Sequence, residues 1–274
     1  MQTPDSTDAV TIAHLTDHHL FADPGGTLLG VNTRDNLQGV LDHMREHSRA
    51  PDLLLATGDL TQDGSAQGYA SFLRMAGQLG LPIHALPGNH DVRASFHAAL
   101  GPRAAPVVDL PHWRIVMLDS TIPGENGGRL DAGQLALLDE LAQANDPRHV
   151  LVAMHHNPVP LRSEWLDTMT IANADALFER LDRYRQVRAL LWGHVHQAYD
   201  DTLPLSQDAG NRSLRLMATP ATCFQFGPGS RDFSLDAAAP GYRWITLRAD
   251  GGISTEVVRV PGLALPPDPG SPGY

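Results

Sequence analysis

The chain has 274 residues, 42% of them apolar and 19% charged, and a formal net charge of −11 at pH 7. That composition belongs to a globular protein rather than a disordered one, and the length allows a single α/β domain with a sizeable core. The acidic balance and the scattering of the 20 basic residues argue against a nucleic acid partner, whose phosphate backbone needs clustered Lys and Arg.

Six short apolar runs read as buried strands: Val10 to Leu15, Leu53 to Thr57, Ile83 to Leu86, Ile115 to Leu118, Val150 to Met154 and Ala189 to Trp192. Amphipathic segments lie between them. Leu37, Val40, Leu41 and Met44 share one helical face, and Tyr69, Phe72, Leu73 and Ala76 share another. Asp131 with Gln134 resembles a capping box ahead of Leu135, Leu138 and Leu141. A further helix begins near Asn173 and buries Leu177, Phe178 and Leu181. This alternation predicts βαβ units and a largely parallel sheet covered on both faces. Beyond Ala198, Arg215 to Ala218, Tyr242 to Leu247 and Ile253 to Val260 read as strands joined by turns, which predicts a second, more antiparallel sheet packed on the first. Pro261 to Tyr274 hold five Pro and three Gly, so a loose tail is expected after one domain spanning residues 1–260.

With one cysteine, Cys223, no internal disulfide can form, and Met1 to Val10 lacks the basic start and apolar core of a secretion signal. A cytoplasmic protein is expected, with Cys223 as a small core hydrophobe. No apolar stretch approaches the roughly 20 residues needed to cross a bilayer, so no membrane association is expected.

Five of the apolar runs are followed at once by residues able to bind metal: Asp17 and His19, Asp59, Asn89, His155, then His194 and His196. In open α/β sheets, ligands gather at the carboxyl ends of strands. Asp17 and His19, two apart, would share a strand face and reach one ion, with His18 pointing away. His194 and His196 repeat that spacing, so two imidazoles could meet neighbouring ions, with clearance from Gly193. Asp59, in the turn opened by Gly58, offers two oxygens to bridge two cations. Asn89 offers a neutral carbonyl oxygen while His90 points at the substrate. His155 and His156 precede Asn157 and Pro158, which end the strand. Singly, several of these are ordinary turns or solvated histidines. Together they describe a two-metal centre, which can generate hydroxide and neutralise a phosphate at neutral pH. The donor mixture suits Mn, Fe, Zn, Ni or Co, and without thiolate ligands a structural Cys-rich zinc site is excluded. His43, His47, His97, His112 and His149 read as surface or helix-face residues. Asp119 and Ser120 read as a turn or a support to the site, and Asp63, Asp91 or Gln62 as candidates to orient an imidazole such as His90. There is no Gly-rich nucleotide loop with its Lys, and no nucleophilic Ser between Gly residues.

Asp-x-His, Gly-Asp, Gly-Asn-His-Asp, His-His and Gly-His-x-His, in that order, resemble the calcineurin-like metallophosphoesterases, and more narrowly the class III cyclic nucleotide phosphodiesterases. The narrower likeness rests on His19 to Phe21 with Leu28 to Asn32, on Ala56 to Leu60 with Gln62 and Asp63, and on Ala218 to Pro220 with Thr222 to Phe226. Ala239 to Gly241 and Gly273 with Tyr274 extend it almost end to end. The resemblance implies a four-layer αββα sandwich of two mixed sheets with a dinuclear site at its edge. It implies that Asp17, His19 and His196 bind one ion and Asn89, His155 and His194 the other, with Asp59 bridging. His90 would be the catalytic histidine outside the coordination sphere. His19, Asp59, Asn89, His90 and His196 would line the phosphate pocket. Iron or manganese is the implied metal, and a small cyclic nucleotide, 3′,5′-cyclic AMP opened to 5′-AMP, the implied substrate. Asn157 departs from the family, which often has another His or Pro there. Two other functions stay open: the same centre acting on another phosphomonoester or diester, and a non-catalytic scaffold that keeps the fold. The filled ligand set argues against the scaffold, and the residues around Cys223 favour the cyclic nucleotide.

Overall fold

The computed structural model describes residues 8–47, 49–144, 146–206 and 212–263, so residues 264–274 of the expected tail lie outside the described residues. The main strands in chain order are β1 (Val10–Leu15), β2 (Leu53–Thr57), β3 (Ile83–Leu86), β4 (Val107–Asp109), β5 (Trp113–Met117), β6 (His149–Ala153), β7 (Val187–Trp192), β8 (Tyr199–Pro204), β9 (Ser213–Ala218), β10 (Gly241–Leu247) and β11 (Ile253–Arg259). The helices are α1 (Thr33–Glu46), α2 (Ala66–Ala76), α3 (Arg93–Leu100), α4 (Ala132–Gln143) and α5 (Ala174–Arg183). Among the described residues no helix is long and apolar enough to cross a membrane.

The strands form two mixed sheets, ordered β11-β10-β1-β2-β3 and β8-β9-β7-β6-β5-β4. Three apolar layers separate four structural ones. Leu37, Val40 and Leu41 of α1, Tyr69 and Phe72 of α2 and Phe96 of α3 pack on Ala13, Leu54 and Trp244 of the first sheet. Leu138 of α4 with Leu177 and Leu181 of α5 packs on Val116, Val152 and Leu190 of the second. Ile12, Leu55, Ile245, Ile115, Leu151 and Leu191 fill the space between the sheets. Alternate residues of each strand therefore face a helix layer or the partner sheet, which is why the strands read as continuous apolar runs. The αββα sandwich is the architecture that the resemblance implied.

The partition of strands differs from the one expected. The chain leaves the first sheet after α3 and starts the second at the antiparallel pair β4 and β5, so β6 and β7 extend the second sheet rather than the first. After Ala198, β8 and β9 join the second sheet, whereas β10 returns to pair antiparallel with β1. Hydrophobic periodicity identifies each strand, but the crossover that moves the chain between sheets leaves no periodic mark. Asp131 caps α4 by accepting from the Gln134 backbone N–H at 2.9 Å. The Gln134 side chain accepts from the Asp119 N–H at 3.0 Å, tying α4 to the loop after β5.

Candidate metal centre

All the expected ligand positions fall in loops that leave β1, β2, β3, β6 and β7. The first three strands belong to one sheet and the last two to the other, so the residues meet across the mouth of the sandwich. Backbone hydrogen bonds stitch the loops together. The N–H groups of His18 and His19 donate to the Asp59 carbonyl at 2.8 and 2.9 Å, and that of Gly193 donates to the His155 carbonyl at 3.1 Å. The His194 N–H crosses between sheets to the Asp17 carboxylate at 3.0 Å.

The spacing-of-two argument is corrected by the backbone. β1 ends at Leu15 and β7 at Trp192, so neither Asp17 with His19 nor His194 with His196 stands on a strand face. Asp17, His19, Asp59, His194 and His196 instead have φ between 47° and 65°. Left-handed turns, each costing of order 1–2 kcal/mol for a residue with a Cβ, aim these side chains inward. His18 does point away, stacking on Phe72 with ring centroids 5.1 Å apart and bonding Thr222 Oγ1 at 2.8 Å.

The side chains form two groups that share one carboxylate. Asp59 Oδ2 lies 3.7 Å from His19 Nε2 and 3.3 Å from His155 Nε2. On one side, His196 Nε2 is 3.5 Å from Asp17 Oδ1 and 3.2 Å from His19 Nε2. On the other, His155 Nε2 is 3.0 Å from Asn89 Oδ1, and the rings of His155 and His194 are 5.1 Å apart. The far nitrogens fix the tautomers. Nδ1 of His155 faces the Thr57 carbonyl at 2.7 Å, Nδ1 of His196 the Phe224 carbonyl at 2.9 Å, and Nδ1 of His19 the Gln62 Oε1 at 2.7 Å. Carbonyl oxygens only accept, so each Nδ1 carries a proton and each Nε2 is the atom turned to the centre, free to bind a cation once it gives up any proton of its own. His19 and His196 face each other through Nε2 at 3.2 Å, so a proton held by His196, or a cation in its place, lies between them. Among the described residues neither ring nitrogen of His194 has a hydrogen-bond partner, although the residue is buried. An orphaned buried imidazole is costly, and an ion would satisfy it. The donor set therefore fits a pair of metal ions.

Charge in the cluster points the same way. Burial presses His19 and His194 down to about 3. Burial also opposes charge on His155, but the Asp59 carboxylate outweighs it and raises that histidine to about 9. His196 is likewise raised to about 10, with Cys223 and Asp17 outweighing burial. Burial disfavours the carboxylate charges too, yet His196 holds Asp17, and His155 with His90 holds Asp59, well below the usual carboxylate range. Two buried carboxylates thus recruit positive charge into the mouth. Asn89 and His90 are the least buried members, so the site opens at their turn. Asp91 holds that turn by accepting from the N–H groups of Gly88, Leu60 and Thr61 at 2.9, 3.2 and 3.2 Å.

Of the expected supports, Gln62 orients His19, while Asp63 accepts from the Ala22 and Ser65 N–H groups. Ser120 Oγ meets His156 Nδ1 at 2.7 Å, and Asp119 pairs with Arg93 at 2.7 Å, so this loop braces the turn after Asn89. Asn157 is buried, its amide donating to the Val159 carbonyl at 2.8 Å. His43 and His47 pack toward Tyr242 and Trp244, His97 against Phe96 and His149 against Trp113, while His112 is exposed on the loop before β5. Sequence reasoning missed His14. This buried residue bridges Thr219 at 2.5 Å and Thr57 at 2.8 Å between the sheets. The only hint was an imidazole inside the otherwise apolar β1. Cys223 is buried as expected, and its Sγ also lies 3.9 Å from His196 Nδ1.

A methyl group on Gly193 would collide first with Thr16 Oγ1, which donates to Asp17 Oδ2, and would come within 2.8 Å of that carboxylate oxygen. Gly193→Ala is expected to displace the Thr16 hydroxyl and with it the Asp17 carboxylate, and to weaken metal retention about 10- to 100-fold, the range for disturbing the surroundings of a ligand. Titration with manganese checks this; unaltered affinity would show that the loop yields instead.

Comparison with known proteins agrees with this geometry. Residues 10–198 match the family model described as calcineurin-like phosphoesterase. The chain is 42% identical to the 3′,5′-cyclic adenosine monophosphate phosphodiesterase CpdA of Pseudomonas aeruginosa, over 99% of this chain and 98% of that protein. It is 40% identical to the CpdA of Escherichia coli, over 97% of this chain and 95% of that protein. Among solved structures, a dimetal phosphatase from Danio rerio shares the fold with a TM-score of 0.60 at 15% identity, covering 92% of this chain and 99% of that one. The order of the motifs, the αββα frame and the full-length similarity converge: the chain belongs to the calcineurin-like phosphoesterase family.

Proposed function

We propose that this chain hydrolyses 3′,5′-cyclic AMP to 5′-AMP at a centre of two transition-metal ions, iron or manganese. The observation that carries the catalytic part is the position of Asp59, one carboxylate within 3.7 Å of His19 and 3.3 Å of His155. In this reading Asp17, His19 and His196 hold one ion, Asn89, His155 and His194 the other, and Asp59 both. Nitrogen and oxygen donors without thiolate suit iron or manganese. The choice of cyclic AMP is supported by the activity named for relatives that match almost the whole chain. The reading also takes residues 1–260 as one domain working in the cytoplasm, in keeping with a lone, buried Cys223.

When bound, the two ions supply an acidified water at neutral pH and neutralise phosphate charge. The chain's own part is to hold and protonate. His19, Asp59, Asn89, His90 and His196 line the pocket for the phosphate. His90 is held by its backbone N–H, which donates to Asp59 Oδ1 at 2.9 Å, leaving its imidazole at the opening. From there it stabilises charge on the phosphate oxygens or protonates the departing 3′ oxygen: one water oxygen becomes bonded to phosphorus, the bond from phosphorus to the 3′ oxygen breaks, and the 5′ monophosphate is left.

The test is metal quantification on one preparation, with turnover of 3′,5′-cyclic AMP against 2′,3′-cyclic AMP, linear dinucleotides and p-nitrophenyl phosphate. Cyclic AMP is expected to be the preferred substrate; a wide margin for another ester would assign the centre to that ester. Manganese at a hundred times its dissociation constant is expected to stabilise the metal-free protein by about 2.7 kcal/mol, roughly 5–10 °C in Tm. EDTA should reverse the shift, and a Tm indifferent to manganese and to EDTA would count against the ligand assignment.

A further inference from the structure

We propose that Phe233, backed by Trp165, is the platform on which the nucleobase of the substrate stacks; this rests on the cyclic nucleotide reading above. Among the described residues only two large apolar side chains are exposed, Val92 at 49% and Phe233 at 38%. Val92 follows the Asn89–Asp91 turn directly and is aliphatic, so it offers no ring. Phe233 meets Trp165 with ring centroids 5.2 Å apart and Phe226 at 5.9 Å, both edge to face. Phe226 in turn lies flat on His196, with centroids 4.1 Å apart and planes 16° from parallel. The exposed ring therefore stands one aromatic layer from the metal centre.

Its backbone is fixed although 38% of the residue is exposed. The Gly227 N–H donates to the Ser234 carbonyl at 2.8 Å, closing the loop that carries Phe233. Ser230, inside that loop, accepts through its carbonyl from the Glu164 N–H at 3.0 Å and through its hydroxyl from Trp165 Nε1 at 3.0 Å. Beneath the rings, Leu166, Cys223, Phe224 and Phe226 form a separate buried cluster. An apolar ring held in place and partly exposed, one buried aromatic layer from His196, gains by having its exposed part covered, and its ordering cost is already met by the loop.

The chemistry of the substrate supplies what covers it. The phosphate end of a cyclic nucleotide is anionic and goes to the cations, whereas the base is flat and uncharged. An aromatic platform suits a base because every base has a π face, and such stacking does not read the base's edge. Phe233 thus favours nucleoside cyclic phosphates over esters without a base, and treats adenine and guanine alike.

The test compares metal-loaded wild type, Phe233→Ala and Phe233→Trp on cyclic AMP and on ribose 3′,5′-cyclic phosphate, which lacks the base. Calorimetry measures binding of 5′-AMP and of ribose 5-phosphate to the same proteins. Phe233→Ala is expected to raise KM for cyclic AMP about 5- to 100-fold, the range for one lost stacking contact, with little change in kcat. Affinity for 5′-AMP should fall in parallel, the compounds without a base should be unaffected, and Phe233→Trp should restore both. An equal effect with and without the base would mark Phe233 as a structural residue and overturn the proposal, as would no effect on either. If wild type does not hydrolyse cyclic AMP, the substrate reading fails by itself, and the binding of 5′-AMP still decides the platform.

Discussion

Asp59→Asn is expected to lower turnover by on the order of 10³-fold, the upper end for removing one electrostatic stabiliser, and to reduce the metal content of the purified protein. The substitution keeps shape and backbone. Asp59 has φ 49°, a region that Asn adopts readily, and an amide oxygen can still accept from the His90 N–H. Lost are the negative charge and the second oxygen lone pairs that serve His19 and His155 together. A variant that retains two ions per chain and turns over within tenfold of wild type would refute the shared role. The same change alters the pH response of the metal-free protein. Although burial opposes charge on His155, Asp59 raises it from its ordinary 6.5 to about 9. The stability contributed by that proton is complete below pH 6.5 and is lost as pH rises through about 9. Asp59→Asn should flatten thermal stability across that window, and an unaltered profile would show that another group holds the proton.

His90→Ala is expected to lose about 10²- to 10⁴-fold in kcat, the range for a missing proton donor or charge stabiliser, while keeping its metal. The contrast with Asp59 follows from which atoms are used. The contact from His90 to Asp59 is made by the backbone N–H at 2.9 Å, which alanine retains, and the imidazole, edge to face on His19 at 4.9 Å, is only partly buried, so its removal opens no hole in the core. Metal analysis and steady-state kinetics on cyclic AMP together check this. Turnover equal to wild type, or metal lost along with activity, would remove His90 from its role.

The residues that meet at the mouth of the sandwich were legible because their chemistry is conspicuous at the exits of apolar strands. No packing argument asks for Asp17, His19, His194 and His196 just there. How they are aimed was not legible. A spacing of two is shared by a strand face and by a left-handed turn, and only the observed φ values separate the two. Similarly, β5, β6 and β7 were each recognisable, but the pairing that places them in the second sheet is a long-range contact with no local trace. The partners that tune the site are further apart still. His14 reaches Thr219 across 205 positions, and Cys223 lies beside His196 because Asn36 of α1 holds the Cys223 carbonyl at 3.0 Å. Nothing in the spacing of those residues announces that they touch. Composition showed a buried cysteine but not what it would be buried against.

The left-handed turns at the mouth also constrain how this site can drift over generations. At five of its positions the backbone by itself bars valine, isoleucine and threonine, whatever happens to the metals, because a branched Cβ does not tolerate φ near 50°. The residues that do tolerate it, apart from glycine, are chiefly Asp, Asn and His, and these are also residues that bind cations. Two unrelated demands, one steric and one chemical, therefore select the same short alphabet at Asp17, His19, Asp59, His194 and His196. A descendant of this chain relieved of catalysis would be expected to replace these residues first with Asn or Gly, keeping the loops long after the ions had gone.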